Sequence, residues 1–246
     1  MKDLIELNNN AINLREKFGF DPLTPIDLFN VVLNQLPLTL LFYPISQQTK
    51  GICIKDDEIP IICINSDMNR ANQRFTLAHE IYHLLVEENS FNFFFCNNSN
   101  DDSSEKEANM FASFLLMPKE ALNYYIKKNN INEWDIDTII KIEQYFKIGH
   151  FSMLMRLKQE KYITEKQFQK LNSIEIIKEF SSRGFSTELY EEVDEKYRFK
   201  VFGKQINLIK DLYENNGITS GKRDELLFSA FRDDLVYNLE EDDIFE

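Results

Sequence analysis

Few cysteines, no long apolar run and a shortage of positive charge set the first limits on this chain. Three cysteines, Cys53, Cys63 and Cys96, are too few and odd in number for a disulfide framework, which points to a reducing compartment. No stretch of about 18 apolar residues exists, so no membrane span is expected. The opening Met1-Lys2-Asp3-Leu4-Ile5-Glu6 lacks the apolar run of a signal peptide, and the expected location is the cytoplasm. Lys+Arg 28 against Asp+Glu 41 leaves a net charge of −13. Such a chain repels phosphate backbones, so no direct nucleic-acid partner is expected; a basic protein or peptide fits better. An internal repeat is also missing. What is present is core-forming material: 43% of residues are hydrophobic, with Phe 21 and Tyr 10, which excludes a disordered chain. The length of 246 residues suits one medium domain with a smaller appendage.

Hydrophobic spacing predicts an amphipathic helix over 3–18, with Leu4, Leu7, Ala11, Leu14 and Phe18 on one stripe. Thr24-Pro25-Ile26-Asp27 reads as the cap and first turn of a short helix through Leu33. Residues 51–54 and 59–65 read as strands joined by the acidic turn Asp56-Asp57-Glu58. A helix follows from about Arg70 to Glu87, then a polar loop over 88–104 broken by Phe93-Phe94-Phe95. A second helix starts near Ser104, 119–163 read as short helices, and the remainder is helix-like. The expected fold class is α+β, a small antiparallel sheet packed on two helices and followed by helical segments. The expected division is a core over 1–125, a helical segment over 126–164 and an accessory region over 165–246.

Two of the three histidines, His79 and His83, lie four residues apart, and Glu80 directly follows the first. Positions i and i+4 share one helical face, so both imidazoles can reach one zinc ion at about 2.0–2.1 Å. Glu80 is turned about 100° away, awkward for a third bond but suited to act as general base on a water beside the metal. This is the arrangement of the HExxH zinc peptidases. Phe75, Leu77, Ala78, Ile81, Leu84 and Leu85 make the helix apolar nearly all round, hence buried. Two buried histidines and a glutamate need partners, and a metal supplies them.

A zinc peptidase site needs a third protein ligand. The second helix offers Glu105 and Glu107, and spacing alone does not separate them. Glu105, Ala108, Asn109 and Ala112 share one face, where the alanines permit a close helix approach. Glu107 follows Ser104 in the Ser-x-x-Glu pattern of a capping box, which favours Glu105 as the ligand. Asp102 with Glu105 could form an equivalent cap.

Here the sequence resembles a known family. Arg74-Phe75-Thr76-Leu77-Ala78-His79-Glu80-Ile81-Tyr82-His83 is similar to the active-site helix of the ImmA/IrrE metallopeptidases, and the run from Glu105 through Ala108-Asn109 to Pro118 is similar to their second motif. The resemblance implies Glu105 as third ligand, one zinc per chain, and cleavage of a helix-turn-helix transcriptional repressor in a mobile element or stress response. Similarity extends to about Tyr162, where 146–157 resembles a helix-turn-helix-like segment. Members usually carry Gly-His where this chain has Tyr82-His83; Tyr82 lies off the ligand face.

Other residues read more plainly. His150, Tyr124 and Tyr125 are candidate oxyanion donors but more often structural; Cys96 reads as a buried free thiol. Phe93–Phe95 read as a substrate lip or a satellite core, the Ile61–Ile64 strand as a substrate-pairing edge or a core strand, and Glu240-Glu241-Asp242-Asp243 as a solvated tail. Two rivals to the peptidase remain. One is a DNA-binding module over 135–160, for which Arg156, Lys158 and Lys161 are too few; the other is a partner-binding regulator or toxin–antitoxin component with little proteolysis.

Overall fold

In the computed structural model, residues 2–46, 48–56, 58–87, 93–97, 103–192 and 198–239 are described, 93–97 by their backbone alone. Helix α1 (Leu4–Lys17) starts where the Asp3 carboxylate accepts from the Glu6 amide. It buries Leu7, Ala11, Leu14 and Phe18, while Leu4 stays 46% exposed at the frayed start of the stripe. Helix α2 (Leu28–Gln35) is capped by Asp27, so it begins later than Thr24-Pro25 suggested. The cause is Arg15, whose buried guanidinium takes the carbonyls of Asp21, Thr24 and Leu115 and holds 21–24 out of helical geometry.

The sheet contains β1 (Thr39–Tyr43), β2 (Thr49–Ile54) and β3 (Ile61–Asn65), followed by α3 (Arg70–Leu85), β4 (Phe93–Asn97) and α4 (Ser103–Leu116). Next come α5 (Lys119–Lys128), α6 (Ile136–Phe146), α7 (His150–Gln159), α8 (Glu165–Asn172) and α9 (Ile176–Ser182). The chain then forms β5 (Lys200–Gly203), α10 (Lys204–Glu214), α11 (Ser220–Ser229) and α12 (Asp233–Tyr237). The fold is α+β as expected, but the five strands lie in the order β4-β2-β3-β1-β5 and the sheet is mixed. β2 and β3 form the expected antiparallel hairpin, Gly51 opposite Ile64, with the Asp56 carboxylate holding the turn amides of Glu58 and Ile59. β1 pairs with the other side of β3 in parallel, Leu40 opposite Ile62. Because β3 is bonded on both sides, Ile61–Ile64 offers no free edge to a substrate: it is a core strand.

β5 arises in a stretch expected to be helical and pairs antiparallel with β1, Phe202 opposite Leu40. Gly203 makes the turn into α10 at φ +82, and a Cβ there would lie 2.4 Å from the Leu38 carbonyl, so only glycine fits. One face of the sheet, with Leu40, Phe42, Ile62 and Phe202, packs on α3 and α4 in the main core. A second core joins Met117 and Leu122 to Ile142, Phe146, Leu154 and Phe168 across α5–α8. The two are riveted by buried arginines. Arg74 of α3 donates to the carbonyls of Ile26 (2.9 Å) and Lys147 (3.3 Å), and Arg156 of α7 donates to Ser113 Oγ (3.1 Å) while lying over the Phe114 ring. Among the described residues, no helix is long and apolar enough to cross a membrane.

Phe202 stacks edge-on against Phe42 at 6.1 Å, which makes β5 part of the main core. Phe202→Ala should therefore lower unfolding free energy by about 3–5 kcal/mol in urea titrations; a loss under about 1 kcal/mol would mean β5 only decorates the sheet.

Candidate metal centre

α3 begins at Asn69, whose side chain accepts from the Asn72 amide, and its motif stretch is buried from Leu77 to His83. One helical turn apart, His79 and His83 bring their Nε2 atoms to 3.1 Å. Ala108 and Ala112 of α4 are fully buried against the cluster's helix, and Glu105 crosses the gap. Its Oε2 lies 3.3 Å from His79 Nε2 and its Oε1 3.4 Å from His83 Nε2. One donor atom from each of the three residues lies within 4.8 Å of the others, a group able to hold a metal ion. The rear nitrogens are also occupied: His79 Nδ1 meets Asn109 Oδ1 at 3.1 Å and His83 Nδ1 meets Glu87 Oε2 at 2.7 Å. Both partners are acceptors, which places a proton on each Nδ1 and leaves Nε2 as the atom facing Glu105.

Charge reinforces this convergence. Burial would raise Glu105, but its bonds to His79 and His83 outweigh that and hold it down to about 2. Burial keeps His79 below the ordinary histidine range; His83 is desolvated too, yet Glu105 and Glu87 pull it above that range. Two imidazole nitrogens and a carboxylate in contact form a cation-shaped gap whose donors suit zinc.

Glu80 differs from every other buried polar side chain near it. It is fully buried, and among the described residues neither carboxylate oxygen has a hydrogen-bond partner. It fits against the sheet because β2 carries glycine there: a Cβ on Gly51 would stand 2.5 Å from Glu80 Oε1 and 2.6 Å from Thr76 Cγ2. Burial pushes the Glu80 carboxyl up to about 8. A buried, unbonded carboxylate costs several kcal/mol unless a cation sits beside it, about the scale expected for an isolated polar group.

The structure brings His79, Glu80, His83 and Glu105 together and leaves Glu107 out. Glu107 accepts from the Tyr82 hydroxyl at 2.5 Å and from the Lys2 backbone amide at 2.8 Å. It thus has a structural task, though not as a capping box: Ser104 lies inside α4 and its hydroxyl donates to Glu87. Asp102, the alternative cap, is outside the described residues. Tyr82, standing where a glycine is usual, packs between Phe111 (5.5 Å) and the edge of His83 (5.6 Å between ring centroids) without joining the donor set. His150 has both nitrogens engaged in the second core, by Glu143 (2.6 Å) and the Leu171 carbonyl (3.1 Å), with Tyr190 also donating to Glu143. Tyr124 is half exposed and Tyr125 stacks on Tyr145, in the layer around the second core. Burial, then the charge of Glu80, lifts the Cys53 thiol to about 12 and the Cys63 thiol to about 11, so neither offers a thiolate. The side chains of Phe93–Phe95 and Cys96 and the 240–243 tail lie outside the described residues. The sequence marks Gly51 and Glu87 only faintly, by a glycine inside a strand and a glutamate four residues beyond His83.

On a sheet-backed helix, two histidines face a carboxylate of the next helix, a group of donors able to hold a metal ion. The chain belongs to the peptidase M78 family, the group of the IrrE N-terminal-like domain, whose model matches residues 34–158. That span runs from the end of α2 into α7 and contains all four residues of the cluster. No curated protein matches the chain at a significant level. Among solved structures, it is similar to a Mycobacterium tuberculosis transcriptional regulator, at 12% identity and a TM-score of 0.43. The match covers 62% of this chain and 46% of that one, so the chain spans less than half of that protein's length.

Because Glu80 is raised to about 8, the folded state keeps its proton where the unfolded state, near 4.3 for an ordinary glutamate, has lost it. Between those values metal-free protein should lose up to about 1.4 kcal/mol per pH unit from this group, so stability falls as pH rises. In chelator, Glu80→Gln should lack that component and overtake wild type in Tm above about pH 7; superimposable pH profiles would show that Glu80 is solvated.

Proposed function

We propose that this chain is a zinc-dependent endopeptidase whose substrate is a helix-turn-helix transcriptional repressor, cut to relieve repression in a mobile element or a stress response. His79, His83 and Glu105 hold one zinc ion, and Glu80 is the general base. The observation that carries the reading is the unpartnered, fully buried Glu80 carboxylate beside a converging two-histidine, one-carboxylate donor set. Zinc, when bound, supplies Lewis-acid polarisation and makes water acidic enough, with a pKa near about 7, to be deprotonated at neutral pH. Beside a bound cation Glu80 would be held in its charged form, ready to accept a proton. Glu80 then takes a proton from the attacking water and delivers it to the leaving amine. Gly51, with no side chain, leaves the room its carboxylate occupies, since a Cβ there would stand 2.5 Å from Glu80 Oε1.

A protein substrate fits better than nucleic acid. In the helix-turn-helix-like pair α6–α7, Arg156 is fully buried and paired with Glu160, and Lys158 pairs with Glu165. The turn between them is docked on α3, where a Cβ on Gly149 would lie 3.3 Å from Ala71 Cβ. These contacts remove the basic side chains a DNA-reading helix would need. Net charge −13 favours a basic partner, as DNA-binding repressors are.

Purified wild type should carry close to one zinc per chain by elemental analysis, lost in Glu105→Ala and kept in Glu107→Ala. Co-expressed with a helix-turn-helix repressor from its own genetic neighbourhood, wild type should yield discrete repressor fragments by mass spectrometry, and zinc-loaded Glu80→Gln should yield intact repressor. Derepression by Glu80→Gln equal to wild type, without fragments, would replace the peptidase with a partner-binding regulator.

A further inference from the structure

The last turn of α3 carries a ligand where a helix is least rigid, since Val86 already caps it. Several contacts stiffen that end. The Glu87 amide bonds back to the Tyr82 carbonyl at 2.9 Å, and Lys55 Nζ donates to the Glu87 carbonyl at 2.7 Å. Glu87 lies beyond the helix and is only 8% exposed, and its carboxylate spans two elements. Oε2 accepts from His83 Nδ1 at 2.7 Å, and Oε1 accepts from the hydroxyl of Ser104, the residue immediately before Glu105. One carboxylate thus touches the rear of one donor and the backbone neighbour of another, across the polar segment 88–102.

We infer that Glu87 is a positioning residue of the metal centre: it commits His83 to the tautomer with Nε2 forward and, through Ser104, fixes the first turn of α4 so that Glu105 meets both imidazoles. The inference rests on the zinc reading of His79, His83 and Glu105. The two imidazoles are supported unequally, His79 by the neutral amide of Asn109 and His83 by an anion. An anionic acceptor makes an imidazole the stronger donor, so Glu87 should weigh more than Asn109 in metal affinity.

The test is zinc affinity at fixed pH, by competition with a chromophoric chelator, alongside the visible spectrum of the cobalt-substituted protein. Glu87→Leu should weaken zinc binding about 10- to 100-fold and alter the cobalt bands. Glu87→Gln, whose amide oxygen still accepts from Nδ1, should recover part of the affinity, and Asn109→Leu should lose less than Glu87→Leu. Ser104→Ala should show a smaller loss of a few-fold. If Glu87→Leu does not fold, Glu87→Gln and Ser104→Ala decide the matter. Affinities within about twofold of wild type, even with a lowered Tm, would reduce Glu87 to a structural residue and overturn the inference, given that the expected loss is at least tenfold. A wild type that binds no zinc would overturn the zinc reading together with this one, whereas zinc-binding wild type with unaffected variants overturns this one alone.

Discussion

The close approach of α3 and α4 is the constraint on which the rest of the structure depends. Ala108 and Ala112 have no side chain long enough to hold the helices apart, and both are fully buried. With larger residues, Glu105 would be carried away from the Nε2 atoms it now meets at 3.3 and 3.4 Å. The remaining architecture serves that approach. The sheet presses α3 from one side through Leu40, Ile62 and Ile64, and α1 anchors the far end of α4 through Arg15 and the Leu115 carbonyl.

Among the buried charged side chains, Glu80 stands apart in that both its carboxylate oxygens lack a partner among the described residues. Arg15, Arg74, Arg156 and His150 each make at least two hydrogen bonds and fasten one layer to another. Glu80 makes none among the described residues, and β2 gives up a side chain at Gly51 to accommodate it. A fold gains no stability from such a residue in isolation. Its presence is intelligible as preparation for chemistry, in the way perturbed carboxyls gather where protons are moved.

What could be read in the sequence was what is local. The pair His79 and His83 needs only helical spacing, and the Glu105–Ala108–Asn109–Ala112 face needs only one more helix; the hairpin over Asp56–Glu58 needs a turn between two apolar runs. Elements fixed by distant pairing stayed hidden. β5 reads as helix because its only reason to be extended is β1, far back in the chain. Nor is the parallel pairing of β1 that makes β3 a central strand legible from local spacing. The departure at Tyr82 is intelligible only with Glu107 in place: the hydroxyl donates to that carboxylate, and Lys2 closes the same corner. Glu87 was hidden for the same reason, since its second partner, Ser104, stands on another helix.

The most direct test of the central claim is X-ray absorption at the zinc edge of the reconstituted protein, comparing wild type with Glu105→Ala. The account predicts a light-atom shell containing two imidazole ligands, with one carboxylate oxygen contribution lost in Glu105→Ala. A sulfur shell, a single imidazole, or a spectrum unchanged by Glu105→Ala would contradict it.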